Sequence, residues 1–292
     1  MNEQLRRRSV GAPAARSLLL TVLGEYLLPR SGAVWQETLV AALVSLGYSN
    51  EAARQALSRS TRDGWLHTER RGRRTRMQLT ESTVALLRTG AERIYSFGEP
   101  SRWDRQWLLV VLRVPENRRD VRHQLRTRLA WTGLGSLGGG LWITPHVERQ
   151  NEVAAAIADE PVADATSFVA EFGAIGDARQ LVAAAWDLDA VREQYRTFLE
   201  DFSRVRPSSA EACFRMQTLL VHAWRRFPFL DPDLPAEVLP ASWPRGRAHS
   251  LFLSRHERWE PAARAHFEAL DTGLDLAAEA APARRHPVKS FG

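Results

Sequence analysis

The sequence predicts an α+β chain in three parts, and three observations lead there. The whole basic surplus lies in the first third: residues 1–100 carry 15 arginines against 9 acids, whereas residues 101–292 carry 25 basic and 25 acidic side chains. Helical apolar spacing fills residues 14–64 and returns after residue 181. Between them, short apolar runs of strand type alternate with helical stretches. With 292 residues and 44% apolar content, the chain can build more than one core.

The first element is a helix over 14–28, with Leu18, Leu19, Val22, Leu23, Tyr26 and Leu27 on one face and Pro29 and Gly32 ending it. Trp35, Leu39, Leu43 and Leu46 form a second stripe, stopped by Gly47. A third helix spans 49–64: Ser49 or Asn50 can cap it, Glu51 suits the positive end of its dipole, and Gly64 closes it. Two strand-like segments in 65–80 flank a turn at Gly72 and read as a β-hairpin. Another helix follows, with Val84, Leu87, Ala91 and Ile94 on one side. Three helices, a hairpin and a closing helix make the layout of a winged helix-turn-helix over 14–96.

A linker over 97–106 leads to WLLVVLRV (107–114), a buried-strand run. A helix (Val121, Leu125, Leu129 inward), the strand GGGLWITP, the helix ERQNEVAAAIADE and the strand ATSFVAEFG complete a ferredoxin-like α+β domain over 103–178. The glycines of GLGSLGGG are expected to turn the chain between helix and strand. Residues 179–275 read as a mainly helical domain: a helix over 181–202, another in EACFRMQTLLVHAWRRF, and a last one in EPAARAHFEAL. Prolines at 228, 232, 235, 240 and 244 make 227–246 an irregular crossing. Residues 276–292 read as a flexible tail.

The third helix has an unusual polar face. At 100° per residue, Arg54, Gln55, Ser58, Arg59, Thr61 and Arg62 share one arc, while Ala52, Ala53, Ala56, Leu57 and Ser60 fill the other. A solvated face would mix in Glu and Lys; here only Glu51 appears, at the N-terminal end. The small-residue arc can pack closely on the second helix, and the donor-rich arc can bond both phosphates and base edges. The hairpin adds Arg70, Arg71, Arg73, Arg74 and Arg76, five like charges that need an anionic partner or open solvent. Next to a recognition helix they read as a wing on the DNA backbone or in the minor groove.

Other chemistry finds less support. Cys213 is the single cysteine, so no internal disulfide forms, which fits a reducing, cytoplasmic setting. No apolar run reaches the ~20 residues of a membrane span. Arg16 and Glu25 break the signal-peptide pattern near the start. Cys213 and His222 lie nine residues apart on one helix and face different ways, and His249, His256 and His266 lack metal-ligand spacing. GLGSLGGG precedes a strand, so it is no dinucleotide loop. No metal and no cofactor is expected.

The stretches LLLTVLGEYLLPRSGAVWQETLVAALVSLGYSNEAARQALSRSTRDGWL, ERIYSF, WDRQWLLVVL, LAWTGLGSLGGGLWITPH, AAWDLDAVREQYRTFLEDF and RRFPFLDPDLPAEVLPASWP, in this order, resemble PaaX-type transcriptional regulators, repressors of phenylacetic-acid degradation. The resemblance covers residues 15–272. It implies a homodimeric repressor of catabolic genes that binds an inverted-repeat operator and is released by an aryl-CoA thioester such as phenylacetyl-CoA. For such an acyl-CoA effector, Trp186, Trp224 and Phe227 would wall an aryl pocket while Arg215, Arg225 and Arg226 met the phosphates. The competing reading is a metal-dependent nuclease of ferredoxin-like type with the winged helix as targeting module. The central domain is also similar to CRISPR-associated nucleases that place a metal-binding Asp at the end of the first strand. WLLVVLRV has no carboxylate, and Asp104, which precedes it, reads as a linker or cap residue.

Overall fold

The computed structural model describes residues 13–30, 32–99, 102–158 and 164–279. Residues 280–292, most of the expected tail, and residues 1–12 lie outside the described residues. The chain divides into two compact units: Met1–Glu92, Val205–His222 and Leu253–Gly292 form one, and Arg93–Arg204 and Ala223–Phe252 the other. Each is α+β and holds one antiparallel sheet.

Unit one opens with helix α1 (Ala15–Val22), which widens into a π-helical stretch over Leu23–Leu27. Strand β1 (Val34–Trp35) leads into α2 (Gln36–Ser45), and α3 spans Asn50–Arg62. Strands β2 (Leu66–Arg71) and β3 (Arg74–Leu79) form the expected hairpin, with Gly72 at φ 61° in its turn. The sheet order is β1-β3-β2. The two-residue β1 escaped the sequence reading because its pairing, Val34 with Met77 and Trp35 with Arg76, is non-local. Helix α4 covers Glu81–Ser96. The apolar stripe of α1 is buried, and Tyr26 packs on Phe214 and Phe267 at 4.9 and 5.2 Å between ring centroids.

In unit two, β4 (Gln106–Arg113), α5 (Arg119–Trp131), β5 (Gly135–Gly138), β6 (Leu141–Thr144), α6 (Gln150–Ala158) and β7 (Asp164–Glu171) follow one another. Their order in the sheet, β5-β6-β4-β7 with every pair antiparallel, is the ferredoxin-like connection. Leu108, Val110 and Leu112 of β4 pack with Val121, Leu125 and Leu129 of α5, while Trp107 belongs to a second apolar cluster. That alternation is the period-2 pattern of a strand buried on both faces. The glycine run turns the chain between helix and strand only at Gly133 (φ 84°); beyond it, Gly135–Gly138 is itself a strand, and Gly139 and Gly140, at φ 58° and 84°, make a second turn into β6.

Helices α7 (Ala178–Ala185), α8 (Leu188–Ser203) and α9 (Ala210–Trp224) follow. The helix expected over 181–202 is two, because Trp186 is extended (φ −132°, ψ 146°) and Asp187 caps α8 by accepting from the Ala190 N–H. The proline-rich crossing contains two short helical turns, Phe227–Leu230 and Ala236–Val238, and is tied by Arg245, which bonds Asp231, Asp233 and the Leu234 carbonyl. The last helix, α10, runs over Arg245–Glu279, far beyond the expected EPAARAHFEAL segment, with Pro261 inside it.

Candidate nucleic-acid interface

Helix α3 is set by its ends and by its small-residue arc. Ser49 caps it, its Oγ accepting from the Ala52 N–H at 3.1 Å, and Gly64 leaves it at φ 76°. Ala53, Ala56, Leu57 and Ser60 are buried, and α3 packs on α1 and α2. The opposite arc faces out: Arg54, Gln55, Ser58, Arg59 and Arg62 are all exposed, and Thr61 is half-buried at its margin. A support the sequence reading missed holds the far end of α3. Arg16 of α1 pairs with Asp63 at 2.5 Å and lies over the Trp65 ring at 4.3 Å.

The hairpin arginines fall into two groups. Arg70, Arg71 and Arg73 at the tip are exposed; Arg71 pairs with Glu69 at 2.8 Å, and the Arg70 Nε–H donates to the Gly72 carbonyl at 3.3 Å. Arg74 and Arg76 are half-buried and stack over Trp35, at 5.6 and 4.7 Å from its centroid. Register explains the split. Arg76 lies opposite Trp35, and Arg74, two residues before, shares its face of the strand. Exposed cationic and amide donors on one helix, beside a basic hairpin tip in the same unit, can bond phosphates and base edges.

The residues expected around an effector are spread over both units. Trp224 and Phe227 are buried at 0% and 3% exposure, 5.2 Å apart, with Trp224 also stacked on Phe252 at 4.8 Å. Arg225 is half-buried and Arg226 exposed, and burial together with Arg226 pushes the Arg225 pKa down. Trp186, half-buried, belongs instead to the cluster of Trp107 and Ile143. Arg215, also half-buried, lies in unit one.

Asp104 lies in the connection before β4, where its carboxylate accepts from the Gln106 N–H at 2.9 Å. Cys213 is buried, with its thiol pKa pushed up by burial, while His222 bonds Thr21 at 3.1 Å. Among the described residues no group of three or more His, Cys, Asp or Glu is placed to hold a metal ion, and no helix is long and apolar enough to cross a membrane.

Three family models match in succession: PaaX-like protein over residues 14–83, PaaX protein central Cas2-like domain over 100–182, and PaaX-like protein C-terminal domain over 186–269. The Escherichia coli K12 protein named transcriptional repressor PaaX is 32% identical over 259 residues, which is 85% of this chain and 81% of that protein. The solved structure of an uncharacterized Mycobacterium tuberculosis protein is similar with a TM-score of 0.61 and 22% identity, covering 89% of this chain and 99% of that one. At that identity it speaks for the fold alone.

Proposed function

This chain belongs to the PaaX family, and from that premise we propose that it is a DNA-binding transcriptional repressor whose residues 14–96 act as a winged helix-turn-helix. One observation carries the reading: α3 exposes Arg54, Gln55, Ser58, Arg59 and Arg62 on one arc and buries its small residues on the other. Such a helix reads the major groove, and the Arg70, Arg71 and Arg73 tip lies on the backbone. The E. coli relative is named a transcriptional repressor, which supports a regulator over the nuclease alternative.

One helix and one wing cover a half-site, so the repressor acts as a homodimer on an inverted repeat, in the cytoplasm where its DNA is. An acyl- or aryl-CoA thioester, as the family resemblance implies, releases it from catabolic promoters by favouring the non-binding state. The test is a mobility-shift titration on a duplex that the wild-type protein selects from a random pool. Arg54→Ala, Gln55→Ala and Arg59→Ala are each expected to cost about 1–3 kcal/mol on that site and much less on random DNA. Unaltered affinity in all three sinks the assignment of α3.

A further inference from the structure

The N-terminus of α2 has no cap from its own neighbourhood: Trp35 occupies the N-cap position and offers no side-chain acceptor. A carboxylate 236 residues away does the work. Asp271 of α10, 2% exposed, accepts the Trp35 backbone N–H on Oδ1 at 3.1 Å and the Thr38 hydroxyl on the same oxygen at 2.8 Å. In a capping box the acid three residues into the helix reaches back to the N-cap N–H. Here Thr38 stands at that third position, and Asp271 supplies the acid from the other end of the chain. Its charge also suits the positive end of the α2 dipole.

The second oxygen has a different task. Oδ2 accepts from Arg30 Nη2 at 3.0 Å and faces Arg76 Nη1 at 3.9 Å. Arg76 lies on the Trp35 ring, and Trp35 pairs with Arg76 across β1 and β3. One buried carboxylate therefore ties together the turn that follows the π-helical stretch, α2 and the inner half of the basic hairpin. We propose that Asp271 is a positioning residue for DNA binding: it fixes the hairpin relative to the helices, so that tip arginines and α3 meet one DNA site together. The inference rests on the DNA-binding reading above. It makes the C-terminal helix part of the DNA-reading unit, which no site residue inferred from the sequence suggested.

The division of labour between the oxygens gives a clean test in the full-length chain. Asp271→Asn keeps Oδ1 as an acceptor for α2 and replaces Oδ2 by a donor facing two arginines. Binding is measured by fluorescence anisotropy on the duplex selected by the wild type and on a random duplex, with the active fraction titrated and folding checked by circular dichroism. A loss of stability alone lowers the active fraction and leaves the selected-to-random affinity ratio of the folded protein untouched. Loss of positioning lowers that ratio, by about three- to tenfold. If Asp271→Asn folds poorly, Arg30→Gln removes one Oδ2 partner at an exposed position and is expected to lower the ratio by about two- to fivefold. A folded Asp271→Asn or Arg30→Gln protein with the wild-type ratio overturns the inference while leaving the DNA reading standing. A wild type that shows no preference for any duplex overturns the DNA reading, and this inference with it.

Discussion

Gly135 has no room for a side chain: a Cβ there would lie 2.5 Å from Trp186 Cε2 and 2.7 Å from the Ala185 Cβ. The Trp186 indole packs against bare backbone of β5, so this glycine serves a close approach rather than a turn. Gly135→Ala is expected to displace the indole at about 1–3 kcal/mol, the cost of overpacking a filled site. A lowered urea midpoint with altered tryptophan fluorescence would show it; an unchanged midpoint would mean that the contact yields cheaply. His249 makes a pH prediction. Burial lowers its pKa below the ordinary 6.5, against a smaller opposing pull from Glu99. The unfolded chain takes up this proton before the folded one, so the contribution is intact above about pH 6.5 and is lost as pH falls toward the lowered value. His249→Gln should flatten that stretch of the stability curve, read from urea midpoints between pH 5 and 8. A parallel curve would exclude His249 as its source.

At the scale of elements, local signals were legible and distant ones were not. Ser49, Gly64 and the alanine arc define α3 from sequence alone, and Gly72 with its flanking strand residues defines the hairpin. The exposed arginine set was legible too, because 3.6-residue geometry needs no tertiary knowledge. The break at Trp186–Asp187 was written locally in the Asp187 cap, but continuous apolar spacing hid it. The supports of the candidate site, Arg16 on Asp63 and Asp271 on α2, depend on chain segments that meet only in three dimensions. The hairpin shows the same limit: five arginines look equivalent in sequence, yet Arg74 and Arg76 turn onto Trp35. Neutralising Arg70, Arg71 and Arg73 together should weaken binding to every duplex and lower the slope of log K against log salt by up to about one unit per lost phosphate contact. An unchanged slope would make the tip arginines merely solvated.

For the whole molecule, the repressor reading predicts a two-fold particle with two protected half-sites separated by about one helical turn or a multiple of it. Sedimentation equilibrium together with footprinting checks this; a strict monomer at micromolar concentration opposes it. It also predicts that phenylacetyl-CoA or another acyl-CoA binds and weakens operator affinity. Calorimetry paired with anisotropy would show whether a ligand that binds leaves the operator complex intact, which would remove that ligand as inducer. Unit one is assembled from three separated stretches of chain, and this has a consequence in time. Trp35 waits 236 residues for Asp271, and Phe267, the ring stacked on Tyr26, is likewise made near the end. At ribosomal speeds of about 5–20 residues per second that wait is roughly 10–50 s. Helices α2 and α3 can pack on the first helix early, but the Tyr26 ring waits for Phe214 and Phe267. Chains cut short before residue 271 would carry every arginine proposed to meet DNA but lack the Asp271 carboxylate proposed to position them. On the positioning reading, such fragments should bind a selected duplex with less preference over random DNA than the full chain does, which anisotropy on a chain ending before residue 271 would show.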